Sequence, residues 1–335
     1  MRKRNLQIDG LRGIAMIMIV AYHLFFRYGE LFEGRTVSHA VEAMLPGVAV
    51  PTFLLISSMF LLHAYQERGG VRAFVSRCLS LFFHKVRRLW PAYAIAVTII
   101  ALFRLIIDLP GRGELSFGNY LCNLLMINGF IGVDYIDSAH WYITTLLSAT
   151  AVTAIISCGI ARRRVEACTC WVLISMVLYF IKRMVGGTLG RALSAAFVCI
   201  GGQYVSVIVA GILLGIIISG MERPKWPHWV CAVTCVVHIL ILRSTDNLLC
   251  IGIALLVVVA AGLQRLEFLR ARPLVALGAI SYEVYLIHQN ISFGLIRMLT
   301  HSGVPKGVSA CFAFVCSLTI GAILHRFVNN SDDAC

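Results

Sequence analysis

Ten apolar stretches recur along this chain, at residues 10–28, 46–65, 90–109, 141–160, 167–181, 201–220, 228–243, 246–263, 273–293 and 307–327. A run of about twenty such residues matches the length a helix needs to cross bilayer hydrocarbon, where a continuous helix satisfies its own backbone groups. Hydrophobic residues make up 59% of the sequence and charged residues 13%, too little polar surface to cover a soluble globule. The expected fold is an all-α, polytopic transmembrane bundle of about ten spans. The fifth and seventh runs are short, which leaves nine or eleven open. No Pro/Ser-rich linker interrupts the pattern, so residues 1–335 read as one membrane-embedded domain.

The basic residues set an orientation. With the amino terminus inside, 18 of the 29 Lys and Arg fall on the cytoplasmic side, among them Arg2, Lys3, Arg4, Arg68, Arg72, Arg77, Arg87 and Arg162 to Arg164. Ten fall opposite, including Arg27, Arg35, Arg112 and Arg191. That bias favours two cytoplasmic termini and a multi-pass protein of the inner (plasma) membrane. It also explains the net charge of +13 as loop charge, so nucleic acid is not an expected partner. The basic start and first apolar run imitate a secretory signal, yet Asp9 and Arg12 interrupt the run and no small-residue cleavage site follows. It reads as a retained span.

Twelve cysteines lie mostly within the apolar runs. Cys168 with Cys170, and Cys231 with Cys235, are the closest pairs. Neither has a second pair or a zinc-spaced histidine, so no metal site is expected. The segment from Ser116 to Gly132 is amphipathic and reads as an outer-face or re-entrant helix.

Charges inside apolar runs mark the candidate site. Arg12 and His23 are eleven residues apart, which returns to nearly the same helical face about 16 Å further along the axis. Asp9 shares that stripe. Such charges cost at least ~2.5 kcal/mol at the bilayer centre and tend to face the bundle interior, where they mark a pathway. A snorkelling arginine above a core histidine is the structural alternative. Lys85 and Arg88 share a face just before Pro91 and suit a phosphate-bearing ligand, although positive-inside anchoring accounts for them equally. In GVAVPTFLLISSMF, Pro51 and the pair Ser57 and Ser58 suit a bent helix beside a cavity. In SYEVYLIH, Ser281, Tyr285 and His288 share a face that suits either a substrate passage or interhelical hydrogen bonds. Asp137 and His140, before the fourth run, read as solvated loop charges.

These segments, in this order, resemble the acyltransferase 3 family of integral-membrane acyltransferases, many of which O-acetylate bacterial cell-envelope sugars. The matching pieces are IDGLRGIA with Arg12 and His23, GVAVPTFLLISS, the basic pair before RLWPAY, HWYITTLL with Trp141, and SYEVYLIH. They extend from the first run to the ninth. Lys85 stands where the family usually has arginine, Ser58 replaces a common glycine, and Asn329 lies near a common glutamate. The outer-face hydrolase-like domain fused to some members is not expected here.

The resemblance implies an acyl-CoA donor, most often acetyl-CoA, as co-substrate with no further cofactor. It implies a sugar hydroxyl of an envelope polysaccharide or lipid-linked sugar as acceptor, and membrane lipid around the bundle. His23 is then expected as general base, with a transient acyl-histidine as the other route. Arg12 would stabilise the oxyanion or hold the donor, Asp9 would orient Arg12, and Lys85 with Arg88 would bind donor phosphates. Ser57, Trp141, Ser281, Tyr285 and His288 are expected along the substrate passage. The rival function is a secondary transporter of a small anionic or sugar-like substrate. Transporters often show repeated halves, and the charged first helix has no counterpart near residues 160–200.

Overall fold

The computed structural model describes residues 5–34, 39–62, 70–107, 109, 115–242 and 245–332. Arg2, Lys3, Arg4, Arg35, Arg68 and Arg112, which enter the orientation argument, lie outside the described residues. Among those described, the regular elements are helical throughout and no strand occurs.

Helix α1 (Leu6–Ala21) begins where the Asn5 side chain accepts the amide N–H groups of Gln7 and Ile8, at 3.0 and 3.4 Å. It runs through a π-helical turn, Tyr22–Arg27, into α2 (Tyr28–Glu33), which Gly34 closes in the left-handed region. Next come α3 (His39–Ser58) and α4 (Val71–Ile106), which carry Pro46, Pro51 and Pro91 inside their helices. At 36 residues, α4 is about 54 Å long, well beyond the roughly 30 Å of hydrocarbon. Its basic first half is therefore the part suited to project past one membrane face.

Helices α5 (Phe117–Leu124) and α6 (Asn128–Ile131) are too short to cross a bilayer, in keeping with the reading of that segment as an outer-face or re-entrant helix only in that it is no crossing. A tight turn, Ser138–His140, leads into α7 (Trp141–Gly159). The chain continues through α8 (Arg164–Met184), α9 (Gly187–Cys199), α10 (Val205–Ile218), α11 (Trp226–Leu242) and α12 (Thr245–Gly262). It ends in α13 (Arg272–Ala279), α14 (Ser281–Ile287), α15 (Asn290–His301) and α16 (Lys306–Asp332).

Among the described residues, six helical stretches are long and apolar enough to cross a membrane: Leu6–Glu33, Val71–Ile106, Ser138–Gly159, Arg164–Met184, Gly187–Ile218 and Lys306–Asn329. The shorter apolar helices Met44–Ser58, Trp226–Leu242 and Leu248–Gly262 coincide with the second, seventh and eighth expected runs. The ninth run, 273–293, departs from the single helix expected of it. It is divided among α13, α14 and α15, with Ile280 at one break and His288–Gln289 at the other. Broken backbone at membrane depth persists where it lines a cavity or is buried in protein, and both conditions hold here.

Two large apolar cores flank that broken segment. One joins α3, α8, α10, α11 and α12 around Leu55, Ile208 and Val258. The other joins α4, α7, α14 and α16 around Tyr93, Ile143 and Leu286.

Candidate functional site

The glycines of IDGLRG decide where α1 lies. A Cβ on Gly10 would stand 1.9 Å from the Leu269 carbonyl oxygen, and one on Gly13 would stand 2.4 Å from that of Leu274. From the other side, a Cβ on Gly278 would stand 1.9 Å from the Asp9 carbonyl oxygen. Helix α1 therefore packs backbone to backbone on α13 and the residues before it, as small residues permit in membranes. Asp9 and Arg12 fall beside this seam, with Asp9 Oδ1 3.8 Å from a guanidinium nitrogen of Arg12. Gln7 extends the anchor, accepting the Leu266 N–H at 2.9 Å.

Further along, the π-helical turn adds a residue to the helix at His23. Such turns are rare and are frequent at functional sites. The His23 ring donates from Nδ1 to the Ile19 carbonyl oxygen at 2.9 Å and meets the His288 ring edge to face.

One cavity of about 920 Å³ is lined by Asp9, Arg12, His23, Ser57, Lys85, Arg88, Trp141, Ser281, Tyr285 and His288. These are all ten residues that the sequence reading assigned to catalysis, donor binding or the substrate passage. Arg88 and Arg12 both stand close enough to Lys85 to act on its charge. Asp9 pairs with Arg12, and the other lining carboxylate, Glu283, lies 3.1 Å from His325 Nδ1. No carboxylate among the described residues pairs with Lys85 or Arg88, which leaves two cations for an anionic ligand. Trp141, Tyr142, Tyr282 and Tyr285 add aromatic rings to the lining. Trp141 stacks on Tyr204 at 4.6 Å, and the Tyr142 hydroxyl shares a 2.9 Å hydrogen bond with Ser57 Oγ.

Asp137 and His140 overturn the reading of solvated loop charges. Their exposures are 1% and 0%. Asp137 accepts the N–H groups of Ala139 and Asn290 at 2.9 and 3.1 Å. His140 Nε2 donates to the Leu286 carbonyl oxygen at 2.8 Å, Gln289 donates to Ser138 Oγ at 2.9 Å, and the Tyr285 hydroxyl donates to the Ala139 carbonyl. Residues 136–140 thus clamp the broken segment that carries His288. These groups occupy the backbone positions that the break leaves unsatisfied, which is why the loop is buried. Asp134, by contrast, is exposed.

Comparison with known proteins bears on this geometry. The family model described as an acyltransferase domain, acyltransferase 3, matches residues 5–326, almost the entire chain. The chain belongs to the acyltransferase 3 family. Part of it is also similar to a protein of Rhizobium radiobacter described as protein 2 in the picA locus, 31% identical over 103 residues. That match covers 30% of this chain and 46% of the relative, under half the relative's length. No solved structure matches.

As an acyltransferase 3 protein, the chain shows how its departures from the family pattern are accommodated. Ser58 donates to the carbonyl oxygens of Leu54 and Leu55 at 2.6 and 3.1 Å, and its hydroxyl faces Gly211 of α10. A Cβ on Gly211 would stand 2.0 Å from Ser58 Oγ, so the close approach of α3 and α10 rests on a glycine in the partner helix. Asn329 donates to the His325 ring beside Glu283, putting His325, Asn329 and Glu283 together on the lining of this cavity. Sequence reading passed over Glu283 and Tyr142. The signal for Glu283 was available, a carboxylate within an apolar run. Nothing local marks Tyr142 apart from its neighbour Trp141.

Proposed function

We propose that this protein moves an acyl group, acetyl in the first instance, from cytoplasmic acyl-CoA to a hydroxyl of a cell-envelope sugar. The observation that carries the reading is the arrangement of one cavity with cations towards the start of α1 and an imidazole farther along the same helix. Arg12 and His23 are about 16 Å apart along that helix. An oxyanion donor must come within about 3 Å of the developing charge, so Arg12 suits donor binding rather than the oxyanion at His23. The donor's phosphates bind at Arg12, Lys85 and Arg88, where arginine can grip two oxygens and lysine supplies a point charge. The flexible arm between phosphates and thioester spans the remaining distance.

His23 acts as general base. Its Nδ1 carries the proton given to the Ile19 carbonyl, so Nε2 is the nitrogen with a free lone pair. Nε2 takes the proton of the sugar hydroxyl as that oxygen attacks the thioester carbon. The new C–O bond forms, the C–S bond breaks, and the proton passes from Nε2 to the departing sulfur. The products are the O-acyl sugar and the free thiol. General base catalysis of this type contributes typically about 10² to 10⁴ in rate.

Membrane vesicles containing the protein, supplied with radiolabelled acetyl-CoA and envelope glycan, test the reading. Label is expected in the glycan with the unaltered protein and is expected to be lost with His23→Ala. Label transfer at the unaltered rate by His23→Ala would remove the base. Uptake of an intact small solute without acyl transfer would instead establish the transporter.

A further inference from the structure

The contacts of His288 say more than its place on the cavity wall. Its Nδ1 lies 2.7 Å from the Tyr285 carbonyl oxygen, and a carbonyl only accepts, so Nδ1 carries the proton. Nε2 of the neutral ring is then bare. By the same reasoning His23 is protonated at Nδ1, and that nitrogen lies 3.3 Å from the bare Nε2 of His288. The ring centroids are 4.7 Å apart.

We propose that His288 is a positioning residue for His23: it accepts from Nδ1–H, fixes the tautomer that leaves Nε2 free, and stabilises the imidazolium formed during transfer. The proposal rests on the reading of His23 as base. A buried carboxylate fills this role in other histidine-dependent enzymes. Here a neutral imidazole fills it together with the Ile19 carbonyl. Both bonds strengthen once His23 is cationic, because a charged donor binds its acceptors more tightly. The proton stays on His23 Nδ1 throughout, and no bond is made or broken at His288.

Two features make His288 suited to hold a geometry. It is fully buried, at 0% exposure. The turn it occupies is pinned on both sides, by Leu286 to His140 and by Asn290 to Asp137. A ring held this firmly presents its lone pair in one direction.

The test compares His288→Leu, which removes the acceptor, with His288→Gln, whose amide oxygen stands near the position of Nε2. In vesicles, His288→Leu is expected to lower kcat about 10- to 100-fold, by analogy with the cost of removing a hydrogen-bond partner that orients a metal-bound histidine. The KM for acyl-CoA is expected to stay within about twofold, since the lost contact serves the transition state. His288→Gln is expected to recover most of the lost rate. An unaltered kcat in His288→Leu, or equal losses in both variants, would overturn the proposal. Nitrogen-15 histidine NMR of the unaltered protein in nanodiscs, without substrate, reads the tautomers directly. Nδ1-protonated rings at 23 and 288 are expected, and an Nε2-protonated His288 would overturn the contact whatever the reaction. Absence of acyl transfer by the unaltered protein would overturn the base, and with it the role of His288, while leaving the tautomer measurement to stand on its own.

Discussion

Asp9 and Gly278 touch through their backbones: a methyl group added at 278 would stand 1.9 Å from the Asp9 carbonyl oxygen. The carboxylate partner of Arg12 is thus held in place by a residue with no side chain, on a helix 269 positions later in the chain. Because the obstructing atom is backbone, no rotamer change can relieve the clash. Gly278→Ala is expected to push α13 from α1 and to cost at least the roughly 1–3 kcal/mol typical of overpacking. A lowered thermal midpoint in detergent checks this, alongside weakened acyl-CoA dependence. An unchanged midpoint would show that the seam yields.

Asp137→Asn replaces an acceptor with an N–H donor facing either the Asn290 or the Ala139 amide. The site is buried, so the mismatched pair cannot turn to water. A loss of about 1–3 kcal/mol is expected. Denaturant unfolding of the purified protein measures it, and an exposed loop aspartate would give no change.

Arg88→Ala and Lys85→Ala are each expected to raise the Michaelis constant for acyl-CoA, by about tenfold or more if each loses a charge-assisted bond worth roughly 1.5–3 kcal/mol. A thioester lacking one donor phosphate discriminates the sites. The variant whose lost contact is that phosphate should show a smaller penalty with the trimmed donor. Unchanged donor dependence in both variants would reassign the pair to topology.

Tyr142→Phe removes the hydroxyl shared with Ser57 and leaves the ring in place against Tyr285. The expected loss is about 1 kcal/mol of stability, read as a small fall in thermal midpoint. A collapse of the fold would mean that the aromatic lining depends on that hydroxyl.

The legibility of this site followed the range of the interactions involved. Asp9, Arg12 and His23 could be aligned from the chain because helical periodicity is local, and Lys85 with Arg88 for the same reason. Asp137 and His140 could not be placed, since a charged residue before an apolar run looks the same whether water or a broken helix receives it. The interruption within 273–293 was hidden likewise. Its residues are apolar enough for a straight span, and only the partners supplied by Ile136 to His140 make the break stable.

The amino-acid sequence by itself determined a bundle of apolar helices and the stripe of ionisable groups on the first of them, because hydrophobic length and the 3.6-residue period act over a few turns. It also carried the family. The tertiary structure alone decided that His288 meets His23 across 265 positions, that two loop charges are buried, and that the glycines of the first helix answer a glycine of the thirteenth. Those contacts depend on where distant helices pack, and packing is a property of the assembled bundle rather than of any one segment.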